Sequence, residues 1–346
     1  MTGKNRSVAG TPATSRTAIP PGTRDVLPEE MRELRAIGGR MRAAFEDAGY
    51  GEVHTPALEY EEVLLRGDER AAGARYRSFD EQGAVLALRS DMTIPIARVV
   101  ATRYAGVDPP LRFSYLAHAW RATDRGVGEP REFLQAGIEL IGVPGAEGEA
   151  EVVALTVEAL NAAGLKRHRV GVGDGQLYRS LLSSFGVSAE AHMPLLETLS
   201  RRDLVGLEAQ VSQLGLDDAK RELLVRLPEL RGGRDVLDRA EELPGGGAAG
   251  AALEGLRGLH DLLSQRAVAD RVIYDLGMVR ELGYYTGAVF EVYDPAVGFT
   301  LGGGGRYDEL IGRFGRDLAA CGLALDVQRV HLAQAAEEAL GAEEPA

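Results

Sequence analysis

One cysteine in 346 residues, Cys321, excludes an internal disulfide, and a reducing cytoplasmic setting is the simplest expectation. No stretch of about 18 consecutive apolar residues occurs, so no membrane-spanning helix is expected. Lys4 and Arg6 are not followed by the apolar segment that a secretory signal requires. The histidines, at positions 54, 118, 168, 192, 260 and 331, are scattered without the paired spacing of a metal site. Neither a nucleophile elbow nor a phosphate-binding Walker loop is present, so no catalytic residue, metal or cofactor is assigned. The formal charge of -13 opposes a general nucleic-acid binder, whose affinity rests on neutralising phosphates, although a local basic groove remains compatible with it. The length and the 45% hydrophobic content suffice for one large globular domain or two modest ones.

Residues 1–20, rich in Ser, Thr, Ala and Gly with Pro12 and Pro20, read as a disordered tail. Met31, Leu34, Ile37, Met41 and Phe45 are spaced by three and four, which predicts an amphipathic helix over 29–48 between Pro28 and Gly49. Strands are expected at 84–89, 112–118, 132–142 and 169–173, and helices at 91–104 and 147–163. From about 176 to 268 leucines recur at helical spacing with little strand pattern, which suggests a helical insertion. Strand character returns at 271–276, 284–293, 298–302 and 319–325, and the end, 336–346, reads as an acidic tail. Strands that flank a helical block without regular strand–helix alternation point to an α+β fold with a mostly antiparallel sheet. The core is then 21–175 together with 269–335, with 176–268 inserted.

Three regions carry residues suited to chemistry. Gly302 to Gly305, followed by Arg306, Tyr307 and Asp308, would serve either a hairpin turn or a close approach of backbone to ligand. Upstream, Tyr284 and Tyr285 would point to opposite faces if they lay on an alternating strand. The second region places Arg121 on one extended segment and Gln135 and Glu139 on the next. Being four apart on a strand, Gln135 and Glu139 share a face, which is either a solvated surface or a pocket wall. In the third region, LRSDMT (88–93), Asp91 is either a helix N-cap or a carboxylate aimed at an amine.

Taken in order, these segments resemble the catalytic domain of the histidyl-tRNA synthetase family, a class II synthetase fold, from about Pro21 to Arg329. PPGTRDVLPEE, the first helix and TPALE resemble its motif 1, which forms dimers. Trp120-Arg121 through EFLQAGIE resembles motif 2, VRELGYYTGAVFE and GGGGRYDEL resemble the two histidine-specific motifs, and GLALDVQR resembles motif 3. The resemblance implies a histidine pocket made by Asp91, Thr93, Arg121, Gln135, Glu139, Arg280, Tyr284 and Tyr285, closed by the Gly302–Gly305 backbone. Arg121 and Arg329 match the arginines that hold ATP in the synthetase.

The departures from the family pattern bear on function. Thr123 replaces an acid, Glu129 follows Gly128 where the family has arginine, Asp326 replaces a glycine of motif 3, and Glu281 and Gly283 stand in place of Gly and Asp. Carboxylates where phosphates would approach oppose ATP binding by several kcal/mol each at about 4 Å and an effective dielectric of about 20. After Arg329 too few residues remain for the anticodon-binding domain the synthetases carry. A histidine pocket without nucleotide chemistry resembles the regulatory subunits of ATP phosphoribosyltransferase. What that resemblance implies is a non-catalytic subunit of the first step of histidine biosynthesis. It would pair with a short catalytic subunit, bind L-histidine as feedback inhibitor, and form a homodimer inside a hetero-oligomer without engaging tRNA or membrane. The alternative from another class is a truncated histidyl-tRNA synthetase-like adenylating enzyme, which would have to bind ATP despite Glu129 and Asp326. A third possibility is an RNA-binding or interaction paralogue, which the acidic balance disfavours.

Overall fold

The computed structural model describes residues 18–68, 75–122, 130–279 and 284–343. The chain opens with α1 (Pro28–Asp47), whose buried Leu34, Ile37, Met41 and Phe45 form the stripe expected from their spacing. Pro28 occupies the first turn, where a missing N–H costs nothing, and Glu29 and Glu30 complement the positive end of the helix. Next come β1 (Gly51–Glu52), β2 (Leu58–Tyr60), α2 (Glu61–Gly67), β3 (Arg77–Phe79), β4 (Val85–Leu88) and α3 (Thr93–Arg103). A long hairpin, β5 (Leu111–Trp120) and β6 (Glu132–Ile141), leads into α4 (Gly145–Ala163) and β7 (Arg169–Asp174).

The stretch after β7 is mostly helical. It holds α5 (Leu177–Ser184), α6 (Ala189–Ser200), α7 (Leu204–Val211), α8 (Asp218–Arg226), the two-residue strand β8 (Arg231–Gly232), α9 (Asp235–Glu242) and α10 (Gly250–Gln265). Their buried leucines, among them Leu181, Leu196, Leu207, Leu223, Leu237 and Leu259, join the same apolar core as α1 and α4. The chain then returns through β9 (Val272–Asp275), β10 (Ala288–Tyr293), β11 (Thr300–Arg306), α11 (Asp308–Gly312), β12 (Ala320–Asp326) and α12 (Val327–Glu343).

Nine strands form one sheet in the order β1-β5-β6-β12-β11-β10-β7-β9-β8, and β2-β4-β3 form a small second sheet. The large sheet is mixed. β1 beside β5 and β7 beside β9 run parallel, and its other neighbours run antiparallel. The expectation of a mostly antiparallel sheet is refined to a mixed one: antiparallel pairs predominate, and both parallel pairs arise from long crossovers, β1 to β5 over the small sheet and α3, β7 to β9 over the helical block. Such crossovers need a dozen or more residues and leave no local sequence signature.

Two local expectations also change. Gly302–Gly305 is not a turn but the middle of β11, inside the sheet. A β-carbon at Gly302 or Gly304 would lie 2.1 or 2.0 Å from a carbonyl oxygen of β12, so the close strand approach admits glycine alone. Residues 284–287 precede β10 rather than belonging to it. Tyr284 and Tyr285 therefore escape strand alternation: both rings are buried in one cluster, with centroids 4.9 Å apart. Among the described residues no helix is long and apolar enough to cross a membrane.

Candidate functional site

A cavity of about 240 Å³ opens over the centre of the large sheet. Asp91 and Thr93 enter it from the start of α3, Gln135 from β6, and Tyr284 and Tyr285 from the segment before β10. Arg121, Asp326 and Arg329 line its other end together with Thr300. Of the residues expected in a pocket, these six (Asp91, Thr93, Arg121, Gln135, Tyr284 and Tyr285) are brought together. Glu139 lies beneath the floor, 1% exposed, rather than on the wall. Arg280 lies outside the described residues, as do Thr123, Gly128, Glu129, Glu281 and Gly283.

The start of α3 explains the placement of Asp91. Its Oδ1 accepts the N–H of Ile94 at 3.2 Å while Ser90 Oγ donates to Oδ2 at 3.1 Å. The N-cap position of α3 falls on Met92, one residue beyond the expected Asp91, whose carboxylate bonds the first turn and also lines the cavity. Thr93 Oγ1 donates to Glu139 Oε1 at 2.7 Å. Gln135 is 6% exposed, and its buried Oε1 has no hydrogen-bond partner among the described residues. Asp91, Thr93 and Gln135, a carboxylate, a hydroxyl and an amide, thus line one cavity. A buried acceptor without a donor is costly, so the arrangement is complementary to a ligand rich in N–H groups.

Two residues that sequence reasoning did not assign support this floor. Tyr307 donates to Glu139 Oε2, and Tyr115 OH lies 3.4 Å from Glu139 Oε1. Burial pushes the Glu139 carboxyl up to about 7, against the lowering effect of the Tyr307, Thr93 and Tyr115 hydrogen bonds, with nearby Asp91 adding to the rise. Gly322 on β12 makes the room: a β-carbon there would be 1.8 Å from Glu139 Oε2. The signal for Tyr115 lay in alternation, because it shares a strand face with Ala117, which pairs with Gln135. Tyr307 stood in GGGGRYDEL, but its proximity to Glu139 is a product of the β6–β12 and β11–β12 pairings. Beside it, Arg306 is 4% exposed and bonds Glu149 Oε1 of α4 at 2.7 Å and Asp308 Oδ1 at 2.9 Å, bracing the end of β11 against the helix.

The far end of the cavity is built differently. Asp326 Oδ1 accepts the N–H of Arg329 at 3.1 Å, and its Oδ2 lies 3.6 Å from Arg329 Nε. Arg329 also donates to the Thr300 carbonyl at 2.8 Å. The Arg121 guanidinium stacks over Phe133 at 4.9 Å. Burial raises the Asp326 carboxyl, opposed by the backbone N–H of Arg329 and by the charges of Arg329 and Arg121. The carboxylate therefore occupies the space next to both arginines. A larger cleft of about 440 Å³ lies elsewhere, lined by Tyr50, Arg112, Glu151, Glu158 and Arg266. There Arg112 is already paired with Glu151 and Arg266 with Glu147. The smaller cavity, which gathers residues from α3, β6, β11, β12 and the segment before β10 and holds the partnerless Gln135 Oε1, is the better candidate. Among the described residues no cluster of His, Cys, Asp or Glu could hold a metal ion.

The model of the family described as histidyl-tRNA synthetase matches residues 22–330. A protein of Symbiobacterium thermophilum named ATP phosphoribosyltransferase regulatory subunit is 42% identical over 336 residues, covering 96% of this chain and 84% of that protein. One of the same name from Desulforamulus reducens is 40% identical over 315 residues, covering 91% and 78%. The chain belongs to the ATP phosphoribosyltransferase regulatory subunit family, built on the histidyl-tRNA synthetase domain. A solved member from Bacillus halodurans, described as an ATP phosphoribosyltransferase regulatory subunit/histidyl-tRNA synthetase, superposes with a TM-score of 0.86 at 34% identity, covering 93% of this chain and 84% of that one. A histidine–tRNA ligase subunit from Alicyclobacillus acidocaldarius gives 0.78 at 32% identity, covering 95% and 99%. Within this family the class II fold is thus established, and the cavity occupies the part of the chain that both synthetase-like and regulatory members share.

Proposed function

We propose that this family member is a non-catalytic regulatory subunit of ATP phosphoribosyltransferase, acting in the first step of histidine biosynthesis. In this reading a short catalytic subunit requires it for activity, and L-histidine bound in the cavity is the feedback signal. The observation that carries the proposal is one cavity lined by Asp91, Thr93 and Gln135 beside two buried tyrosines, with the buried Gln135 Oε1 left without a partner among the described residues. A histidine zwitterion offers an ammonium with three donors and an imidazole N–H, which match the oxygens of those side chains. Arg280 is assigned to the ligand carboxylate by its place in the family pattern, and Glu139 holds the Thr93 hydroxyl. No catalytic residue and no cofactor are assigned in this reading, and the Asp326 carboxylate beside Arg329 supports it by opposing a nucleotide phosphate there.

The division into a core of 21–175 and 269–335, an inserted helical block of 176–268, a leading tail over 1–20 and an acidic tail over 336–346 is part of the same proposal. So are a homodimer within a hetero-oligomer, a cytoplasmic location and the absence of a tRNA partner. Isothermal titration should detect L-histidine binding to the isolated chain, and Asp91→Ala should weaken it by at least about tenfold, the loss of one charge-assisted hydrogen bond. Pyrophosphate exchange dependent on histidine and ATP should be absent. Robust exchange, or unaltered histidine affinity in Asp91→Ala, would overturn the reading.

A further inference from the structure

The tyrosines of the cavity belong to a stretch, 275–287, that leaves β9 and enters β10. The helical block grips this stretch at both ends. At its start stands Asp275, 2% exposed although it is charged. Arg202, from the turn between α6 and α7, donates to Asp275 Oδ2, and Arg231 Nε of β8 lies 3.7 Å from the same oxygen. Oδ1 accepts the N–H of Gly277 at 3.1 Å, which turns the chain immediately after the strand. The Leu276 N–H donates to the carbonyl of Leu230, and Gly277 lies so close to Pro228 that a β-carbon would sit 2.6 Å from the Pro228 carbonyl oxygen. Arg202 itself has φ of 57°, a conformation that non-glycine residues rarely hold and that the surroundings must maintain. At the other end Gln176, just before α5, donates from Nε2 to the Tyr285 carbonyl at 2.6 Å, and the Gly175 N–H bonds the carbonyl of Gly287. Between the two grips Met278 packs in the same apolar cluster as Tyr284 and Tyr285.

We propose that Asp275 is a positioning residue for the cavity, the joint through which the helical block sets the placement of Tyr284 and Tyr285. It touches no ligand. Its role follows from where the charge lies: a carboxylate this deeply buried depends on its partners, and both cations come from the block while the backbone it orders leads to the tyrosines. A shift of α6, α7 or β8 therefore reaches the cavity through Asp275, Gly277 and Met278, which packs with both tyrosines, and occupancy of the cavity reaches the block by the same contacts. The inference rests on the histidine reading for its ligand, but not for its structural consequence.

The test combines histidine titration with hydrogen exchange at the amides of 276–279 and 284–287. Asp275→Asn keeps the shape and removes the charge. It should weaken histidine binding about tenfold, within the usual range of coupling between sites, and speed exchange at those amides relative to β10 and β11. Arg202→Lys, which keeps a cation, should restore most of both properties relative to Arg202→Ala. Arg257→Ala is the control, because Arg257 pairs with Asp238 and Glu241 inside the block and has no hydrogen bond or ion pair to the described residues of 275–287. It should leave histidine affinity unchanged. Equal losses in Arg257→Ala and Asp275→Asn would mean general loosening and would overturn the proposal, as would unchanged exchange and affinity in Asp275→Asn. If that variant fails to fold, the Arg202 pair decides in its place. If the unaltered chain binds no histidine, the functional reading fails while the exchange measurement still judges this one.

Discussion

At the scale of single residues, the cavity combines two sets of side chains. Asp91, Thr93 and Gln135 form one. In the other an acid, Asp326, already pairs with Arg329 and feels the charge of Arg121. An added phosphate would meet that carboxylate at a cost of about 4 kcal/mol at 4 Å and an effective dielectric of about 20. Asp326→Gly should therefore raise affinity for ATP by at least about tenfold, read by nucleotide titration, since each 1.4 kcal/mol is about a factor of ten. No gain would show that Asp326 is not what excludes nucleotide. Glu139 gives a second prediction. Its folded-state carboxyl is raised to about 7 from an ordinary 4.5, so the native state holds a proton that the unfolded chain releases. Stability from this group is complete below the unfolded value and is lost as pH rises through about 7. Glu139→Gln imitates the protonated form. It should gain on the order of 3 kcal/mol relative to the wild type between about pH 5 and about pH 8, measured by denaturant titration. Parallel pH profiles of the two proteins would contradict the assignment.

At the scale of elements, helices with strong periodicity were legible, and α1 and α4 fall within two residues of their expected limits. The glycine run was not. Locally, four glycines between apolar segments have the composition of a turn, and only the neighbour strand explains them. β12 lies so close to β11 that side chains at 302 and 304 have no space. Gly304→Val should accordingly cost about 3 kcal/mol or more by overpacking, or prevent folding outright, as read by thermal melting and soluble yield. A stable Gly304→Val protein with native histidine affinity would refute that account. The tyrosine pair failed for the opposite reason. Its aromatic, β-prone composition looks like strand, yet burial of both rings with Tyr307 and Met278 prevails over alternation. Propensity at 284–287 was a weaker force than the apolar cluster the loop could fill.

At the scale of the whole molecule, most of the cavity was legible because Asp91, Thr93, Gln135 and the tyrosines sit in recognisable segments. What the sequence did not disclose is how distant segments meet. Glu139 would be a wall residue if only its own strand were considered. It becomes a floor residue because Tyr115, from the neighbouring β5, and Tyr307, from the segment after β11, cover it. In the same way β8, two residues long, is invisible in periodicity, yet it completes the edge of the large sheet and brings Arg231 to Asp275. Regulation in such a molecule is a coupling between separated surfaces, and whatever change in partner binding histidine causes, the partner must cause in histidine binding to the same factor.

The strand order has a consequence for how the chain is made. β12 inserts between β6 and β11, although it follows both in sequence. During synthesis the β5–β6 hairpin therefore leaves the ribosome with one long backbone edge bare, and it stays bare while the entire helical block is translated. Until β12 arrives, that edge is open to any other extended chain. Newborn copies crowded on one messenger are the natural hazard, and a chaperone that shields strand edges is the natural remedy.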